Sequence, residues 1–168
     1  MDKSNIKEII RYQILFLIYF CLMVKVELVN GSRSDLNLSY VVIAACHNGG
    51  WLFVKHRRRG GWEMAAGHPE QGEGSVEAAV RELTEETGAL DFVMMPVTYY
   101  SVDAGQGKQY GRLFLAEIET LGDLTDTDEI EEVRMFRRLP RNLSLPEVMS
   151  FLYSVARQYA DYFLLPQI

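Results

Sequence analysis

The sequence predicts a domain of mixed α/β class, and three observations carry that expectation. Short β-branched and aromatic runs, each bounded by polar or Gly-rich turns, recur between Val24 and Leu139. An acidic helical pattern interrupts them between Ser75 and Gly88, and an amphipathic one follows from Ser144. At 168 residues, 48% hydrophobic and 24% charged, the chain suits one globular domain with a sizeable core.

The first element is an apolar stretch. From Ile14 to Val24, "ILFLIYFCLMV" carries no charge, and Tyr12 and Gln13 extend the uncharged run before Lys25 to 13 residues. A spanning helix needs roughly 18–20 apolar residues. No small-x-small cleavage pattern follows, as a signal peptide would require. Three readings stay open: a helix packed on the domain or a partner, a membrane-associating anchor, or residues upstream of the true start. The third is favoured, because Met23 stands immediately before "VKVELVN", a plausible first strand. Residues 1–22 are therefore set apart from a domain of residues 23–168, with membrane association through residues 1–24 held as the lesser reading.

Within the domain, "VKVELV" alternates as a half-buried strand does, and "LSYVVIAAC" is β-branched and apolar enough for a buried strand. "GWLFVKHR" follows the turn residues His47-Asn48-Gly49-Gly50, and the three runs together look like a meander. Strands are also expected in "DFVMMPVTYYSV" from Asp91 and "GRLFLAEIE" from Gly111, joined by the Gly-rich "DAGQGKQY". After the acidic loop "LGDLTDTDEIE", "EVRMFRRL" reads as the last strand. In the closing helix Ser144 and Glu147 suit a capping box and Pro146 a first turn. Its Val148, Phe151, Leu152, Val155 and Tyr159 recur with the spacing of a buried face.

Charge excludes one class of partner. The net charge of −6 and pI near 5.1 argue against a nucleic-acid polymer, which needs clustered Lys and Arg. The basic run "KHRRRGGW" from Lys55 is local: it suits a small anionic ligand or simply a solvated strand end. Cys21 and Cys46 lie far apart without metal-ligand spacing, which suggests a reducing, cytoplasmic compartment.

The segment from Ala65 to Leu90 holds six glutamates beside one arginine. Ser75 is the expected N-cap, Gly88 the expected C′ residue, and Val76, Ala79, Val80 and Leu83 the expected core face. Glu82, Glu85 and Glu86 then share about 100° of helix arc. Such like-charge neighbours destabilise an isolated helix by roughly 0.2–0.5 kcal/mol per pair, and no lysine within the helix offsets them. A hard divalent cation would, since Mg²⁺ takes carboxylate oxygens together with substrate phosphates. Taken as three glutamates alone, the pattern reads as a solvated acidic face.

The spacing of the whole segment changes that balance. Gly67, Glu73 and the run Arg81-Glu82-Leu83-x-Glu85-Glu86-x-Gly88 resemble the Nudix hydrolase signature G-x5-E-x7-R-E-U-x-E-E-x-G-U. Only the final position departs, where Ala89 is small and Leu90 follows. The resemblance implies an α/β/α sandwich with a mixed β-sheet and a catalytic loop-helix-loop. It implies hydrolysis of a nucleoside diphosphate linked to another group, with Mg²⁺ or Mn²⁺ as cofactor. It also implies Glu85 and Glu86 as principal metal ligands, the Gly67 carbonyl as a further one, and Glu82 as ligand or base. Arg81 would orient these carboxylates, and Glu73 would stand near the metal. A further ligand is implied from the late loop, with Glu129 or Glu132 as candidates.

Substrate is read from outside the motif. "WEMAAGHPEQGE" resembles the approach to the motif in members acting on nucleoside triphosphates, with Ala65 and Ala66 replacing Pro-Gly. "MFRRLPRNLS" resembles an ending found in 8-oxo-dGTP diphosphatases. The expected substrate is thus a purine nucleoside triphosphate, 8-oxo-dGTP among the candidates, with Lys55, His56 and Arg57 meeting the phosphates. Tyr99, Tyr100, Tyr110 and Phe114 are candidates for stacking on the base, Tyr100 foremost, although such residues are more often core. The competing readings are an ADP-ribose or dinucleotide polyphosphate pyrophosphatase and a non-catalytic nucleotide-binding module. An isopentenyl-diphosphate isomerase-like enzyme is a further one, against which the intact Arg-Glu-x-x-Glu-Glu run counts.

Overall fold

A computed structural model describes residues 24–31 and 36–163. The apolar run before Val24 and the start at Met23 lie outside these residues. Eight strands form one mixed sheet: β1 (Lys25–Val29), β2 (Leu38–His47), β3 (Gly50–His56), β4 (Trp62–Glu63), β5 (Ala65–Gly67), β6 (Ala89–Asp103), β7 (Lys108–Leu121) and β8 (Ile130–Phe136). Helix α1 (Ser75–Thr87) follows β5, and α2 (Pro146–Phe163) follows β8. The strand order is β1-β6-β7-β2-β3-β4, with β5 added to β2 and β8 to β3. Strands β2 and β7 run parallel, while the other pairs are antiparallel.

β2 explains its own apolarity. Val41, Ile43 and Ala45 pack with Ala78, Ala79 and Leu83 of α1, whereas Val42, Ala44 and Cys46 pack with Met149, Leu152 and Ala156 of α2. A strand buried on both faces cannot alternate with polar residues. Phe53 and Phe114 are fully buried, one in each layer, and truncating a ring of this kind costs on the order of 3–5 kcal/mol. Burial also pushes the Cys46 thiol up to about 12, and the residue is a free thiol.

Turn chemistry sets the register. Asn48 and Gly49 both have positive φ, 47° and 74°, between the paired His47 and Gly50, the backbone that a two-residue hairpin with right-handed strand twist requires. In β6, Pro96 sits at a register irregularity beyond the Tyr99–Asp103 stretch paired to β1, so its missing N–H breaks no ladder on that side.

Three sequence expectations are corrected. The first three strands are not a meander, because β1 pairs with β6 and β2 takes β7 as its other neighbour. Val76 and Val80 are exposed, and α1 turns Ala78, Ala79, Leu83, Glu86 and Thr87 inward instead. Ser144 forms no capping box: its buried Oγ has no hydrogen-bond partner, and the Leu145 carbonyl accepts the first helical bond, from Met149 N–H at 2.8 Å.

Candidate active site

The glutamate segment is placed by two glycines. β5 ends at Gly67, beside β2, and the loop to Gly74 brings the chain onto α1. A Cβ at Gly67 would lie 1.8 Å from Oε1 of Glu82, so only glycine leaves that carboxylate its position. At the other end Gly88, at φ 74°, closes α1 in the left-handed region and donates its N–H to the Thr84 carbonyl. The N-cap is Gly74 rather than Ser75, and no side chain caps it. Ser75 Oγ instead accepts from Nη1 of Arg112 at 2.8 Å.

The three helix carboxylates meet different surroundings. Glu86 is 3% exposed, and its Oε2 accepts the Ala66 N–H at 2.9 Å. Glu82 is partly buried under Gly67, and Glu85 stands open to solvent. The Arg81 guanidinium crosses the group, donating to Glu73 at 3.0 Å, Glu82 at 2.8 Å, Glu85 at 3.3 Å and the His68 carbonyl at 3.1 Å. These bonds hold Arg81 charged and keep the Glu73 carboxyl below its ordinary range.

Glu82 behaves in the opposite sense. Burial raises its carboxyl, Arg81 lowers it, Glu86 and Glu85 raise it again, and the balance lies above the ordinary value. A carboxyl with a raised folded value favours folding when protonated, and that contribution is lost as pH rises through the folded value. At neutral pH the ionised Glu82 is therefore a net burden on stability. Glu82→Gln is expected to melt above wild type at pH 7, because the amide oxygen still accepts from Arg81, while turnover falls by about 100-fold or more. Thermal melting beside initial rates checks this, and a lower melting temperature would refute the assignment of strain to that charge.

Behind Glu86 lies a buried polar cluster. Nε2 of His56, at the end of β3, is 3.0 Å from Glu86 Oε1 and 3.4 Å from Glu63 Oε1. Its N–H is not aimed squarely at either oxygen, so no well-aligned hydrogen bond forms. Arg59 Nε donates to Glu63 at 2.8 Å. Burial alone would lower the imidazole, but Glu86 and Glu63 outweigh it and hold it above its ordinary value. Burial likewise keeps Glu63 above the usual carboxylate range, against the pull of Arg59.

The late acidic loop docks on the end of α1. Asp126 N–H and Thr125 Oγ1 both donate to the Glu85 carbonyl, at 3.1 and 3.3 Å, and Gly122 N–H donates to the Gly88 carbonyl. Glu129 belongs to this loop, its carbonyl accepting from Arg57 N–H. Glu132 does not join the helix carboxylates. It stands opposite Lys55, which stands opposite Trp62, so all three share the sheet face that α2 covers. There Glu132 pairs with Arg134, and Lys55 pairs with Glu131 at 2.9 Å. Arg57 is exposed and donates from Nε to the Thr127 carbonyl.

Two further expectations change. Tyr100 is 2% exposed, its ring lying where a Cβ on Gly111 would be, so it offers no face to a base. Phe114 is also core, whereas Tyr99 lines a cavity of about 650 Å³ that reaches Glu70, Glu73 and Ser75. Arg112 shares that cavity, its guanidinium 5.0 Å from the Tyr99 ring. His56 turns inward instead of towards phosphates. The signal was the alternation Leu52, Val54, His56, which puts it on the buried row facing α1.

Among the described residues, no three His, Cys, Asp or Glu side chains already stand as a metal cage. Arg81 gathers Glu73, Glu82 and Glu85 to itself. The donor set nonetheless fits a hard cation: Glu82, Glu85, Glu86 and the Gly67 carbonyl offer oxygen alone.

A mixed sheet between two helices, with this loop-helix-loop against it, defines a Nudix hydrolase. The NUDIX domain family matches residues 37–147, and the chain belongs to that family. It is an enzyme acting on acid anhydrides in phosphorus-containing compounds. Over 108 residues it is 35% identical to YtkD of Bacillus subtilis (strain 168), provisionally described as an 8-oxo-dGTP diphosphatase, covering 64% of this chain and 68% of that one. The pyrophosphohydrolase BsRppH of Bacillus subtilis, solved in a mutant form, superposes with a TM-score of 0.67 at 26% identity, over 81% of this chain and 90% of the other. The NUDIX domain of Shewanella oneidensis NrtR, solved with ADP ribose, shares the fold at a TM-score of 0.61 and 14% identity, over 78% and 93%.

Proposed function

We propose that this Nudix hydrolase cleaves a phosphoanhydride bond of a purine nucleoside triphosphate, using Mg²⁺ with Mn²⁺ able to substitute. The supporting observation is that Glu82 lies against Gly67 and Glu86 accepts the neighbouring Ala66 N–H, with Glu85 next to Glu86 on the same helix. A bound divalent cation would neutralise phosphate charge and lower the barrier to water attack. Glu86 and Glu85, with the Gly67 carbonyl, are the residues to hold it. Glu82 is the residue to take the proton of the attacking water, because its carboxylate lies against Gly67, beside the residues that would hold the cation. Arg81 orients Glu73, Glu82 and Glu85 through the bonds described above.

The nucleotide is placed in the cavity beside Glu73, with Tyr99 and Arg112 beside the base or ribose. Similarity to YtkD makes 8-oxo-dGTP the foremost candidate, and sanitation of the cytoplasmic nucleotide pool the role. Among the described residues, no helix is long and apolar enough to cross a membrane. The test is kcat/KM at fixed Mg²⁺ for 8-oxo-dGTP, dGTP, ATP, ADP-ribose and diadenosine tetraphosphate. A purine triphosphate is expected to lead by at least about tenfold, which is roughly 1.4 kcal/mol of transition-state binding. A lead for ADP-ribose or the dinucleotide would overturn the substrate and leave the hydrolase standing.

A further inference from the structure

We infer that His56 is a positioning residue for Glu86, fixing from behind the carboxylate that the proposed cation site depends on. The inference rests on the cation reading above and adds a residue outside the signature.

Both oxygens of Glu86 have a neighbour, one through a hydrogen bond and the other through a short buried ion-pair contact. Oε2 accepts the Ala66 N–H, and Oε1 faces His56 Nε2 at 3.0 Å. Both side chains are more than nine-tenths buried, so water does not replace either partner. His56 is itself placed by Glu63 at 3.4 Å, and Glu63 by Arg59 at 2.8 Å. The chain Arg59, Glu63, His56, Glu86 thus runs from the loop after β3, through β4, to the last turn of α1. Each carboxylate oxygen of Glu86 keeps a second lone pair, while the two contacts restrict rotation about its side-chain bonds. A buried carboxylate without such a partner would swing towards solvent or draw a proton. Glu85, exposed and tied only loosely to Arg81, has no comparable support.

The test is Mn²⁺ binding to the full chain without substrate, by isothermal titration, with melting in chelator as the fold control. His56→Leu keeps bulk and removes the donor; Mn²⁺ affinity is expected to fall about 10- to 100-fold. His56→Gln, which restores a donor of similar reach, is expected within about threefold of wild type. Should the Leu variant fail to fold, His56→Asn, polar but too short to reach Glu86, is expected to show the same loss. Turnover of the donor-less variant should recover as Mn²⁺ is raised, which a general loss of structure would not allow. Leu or Asn variants binding within threefold of wild type, or a Gln variant no better than Leu, overturn the role of His56. Glu85→Gln separates the two readings: if it leaves Mn²⁺ binding intact, or wild type binds none, the cation site itself is refuted.

Discussion

Glu86→Gln is expected to lower turnover by about 100-fold or more and leave the fold standing. The substitution preserves shape, so the amide oxygen still accepts from Ala66 N–H and the helix face against the sheet is unaltered. What disappears is one full negative charge in a buried place, where charge acts at greater strength than in water. Loss of a single preorganised electrostatic group typically removes two to three orders of magnitude in rate. Initial rates over a Mg²⁺ series, with melting curves beside them, check the expectation. Wild-type activity in this variant, or in excess chelator, would remove Glu86 from the catalytic machinery.

Gly67→Ala should be nearly as damaging to turnover, for a different reason. The added Cβ would sit 1.8 Å from Glu82 Oε1 and 2.1 Å from its Cδ, far inside any real contact. The obstructing atoms are the end of a side chain, so Glu82 can retreat while the backbone stays. Stability is therefore expected to change by no more than about 1–2 kcal/mol, while kcat falls about 100-fold as the carboxylate leaves its place. Chemical denaturation paired with steady-state kinetics distinguishes the two effects. Unchanged kcat would show that Glu82 can work from elsewhere and would remove it as the proton acceptor.

Much of this arrangement was legible because local chemistry and tertiary packing agree. The β-branched run of β2 read as a buried strand and His47-Asn48-Gly49-Gly50 as a turn, and packing on both faces and a tight Asn48-Gly49 turn agree with that. The pairing of β1 with β6 was not legible, since alternation marks a strand without saying which neighbour it finds. Val76 and Val80 misled for a related reason: apolar spacing suited more than one helix face, and the small Ala78 and Ala79 let α1 approach the sheet. Within the site, the placing of Glu82, Glu85 and Glu86 on one helix was readable from spacing. Glu132 and Lys55 were not: they pair with each other on the face that carries Trp62, and alternation along a strand does not say which of its two rows faces α1. Arg112 lay far from the motif in sequence: the pairing of β7 with β6 brings it beside Tyr99, and the packing of α1 on the sheet brings it to Ser75.

β2 belongs to both layers, and this binds the chemistry to the stability of the whole domain. Its odd-numbered residues Val41, Ile43 and Ala45 anchor α1, and its even-numbered residues Val42, Ala44 and Cys46 anchor α2. Neither helix can detach without exposing one side of a strand whose other side is still buried. The two layers are thereby made into one cooperative unit, in which local opening of α1 approaches the free energy of global unfolding. A helix crowded with like charges is kept in register by that linkage, and the freedom needed for ligand entry is left to the loops at its ends.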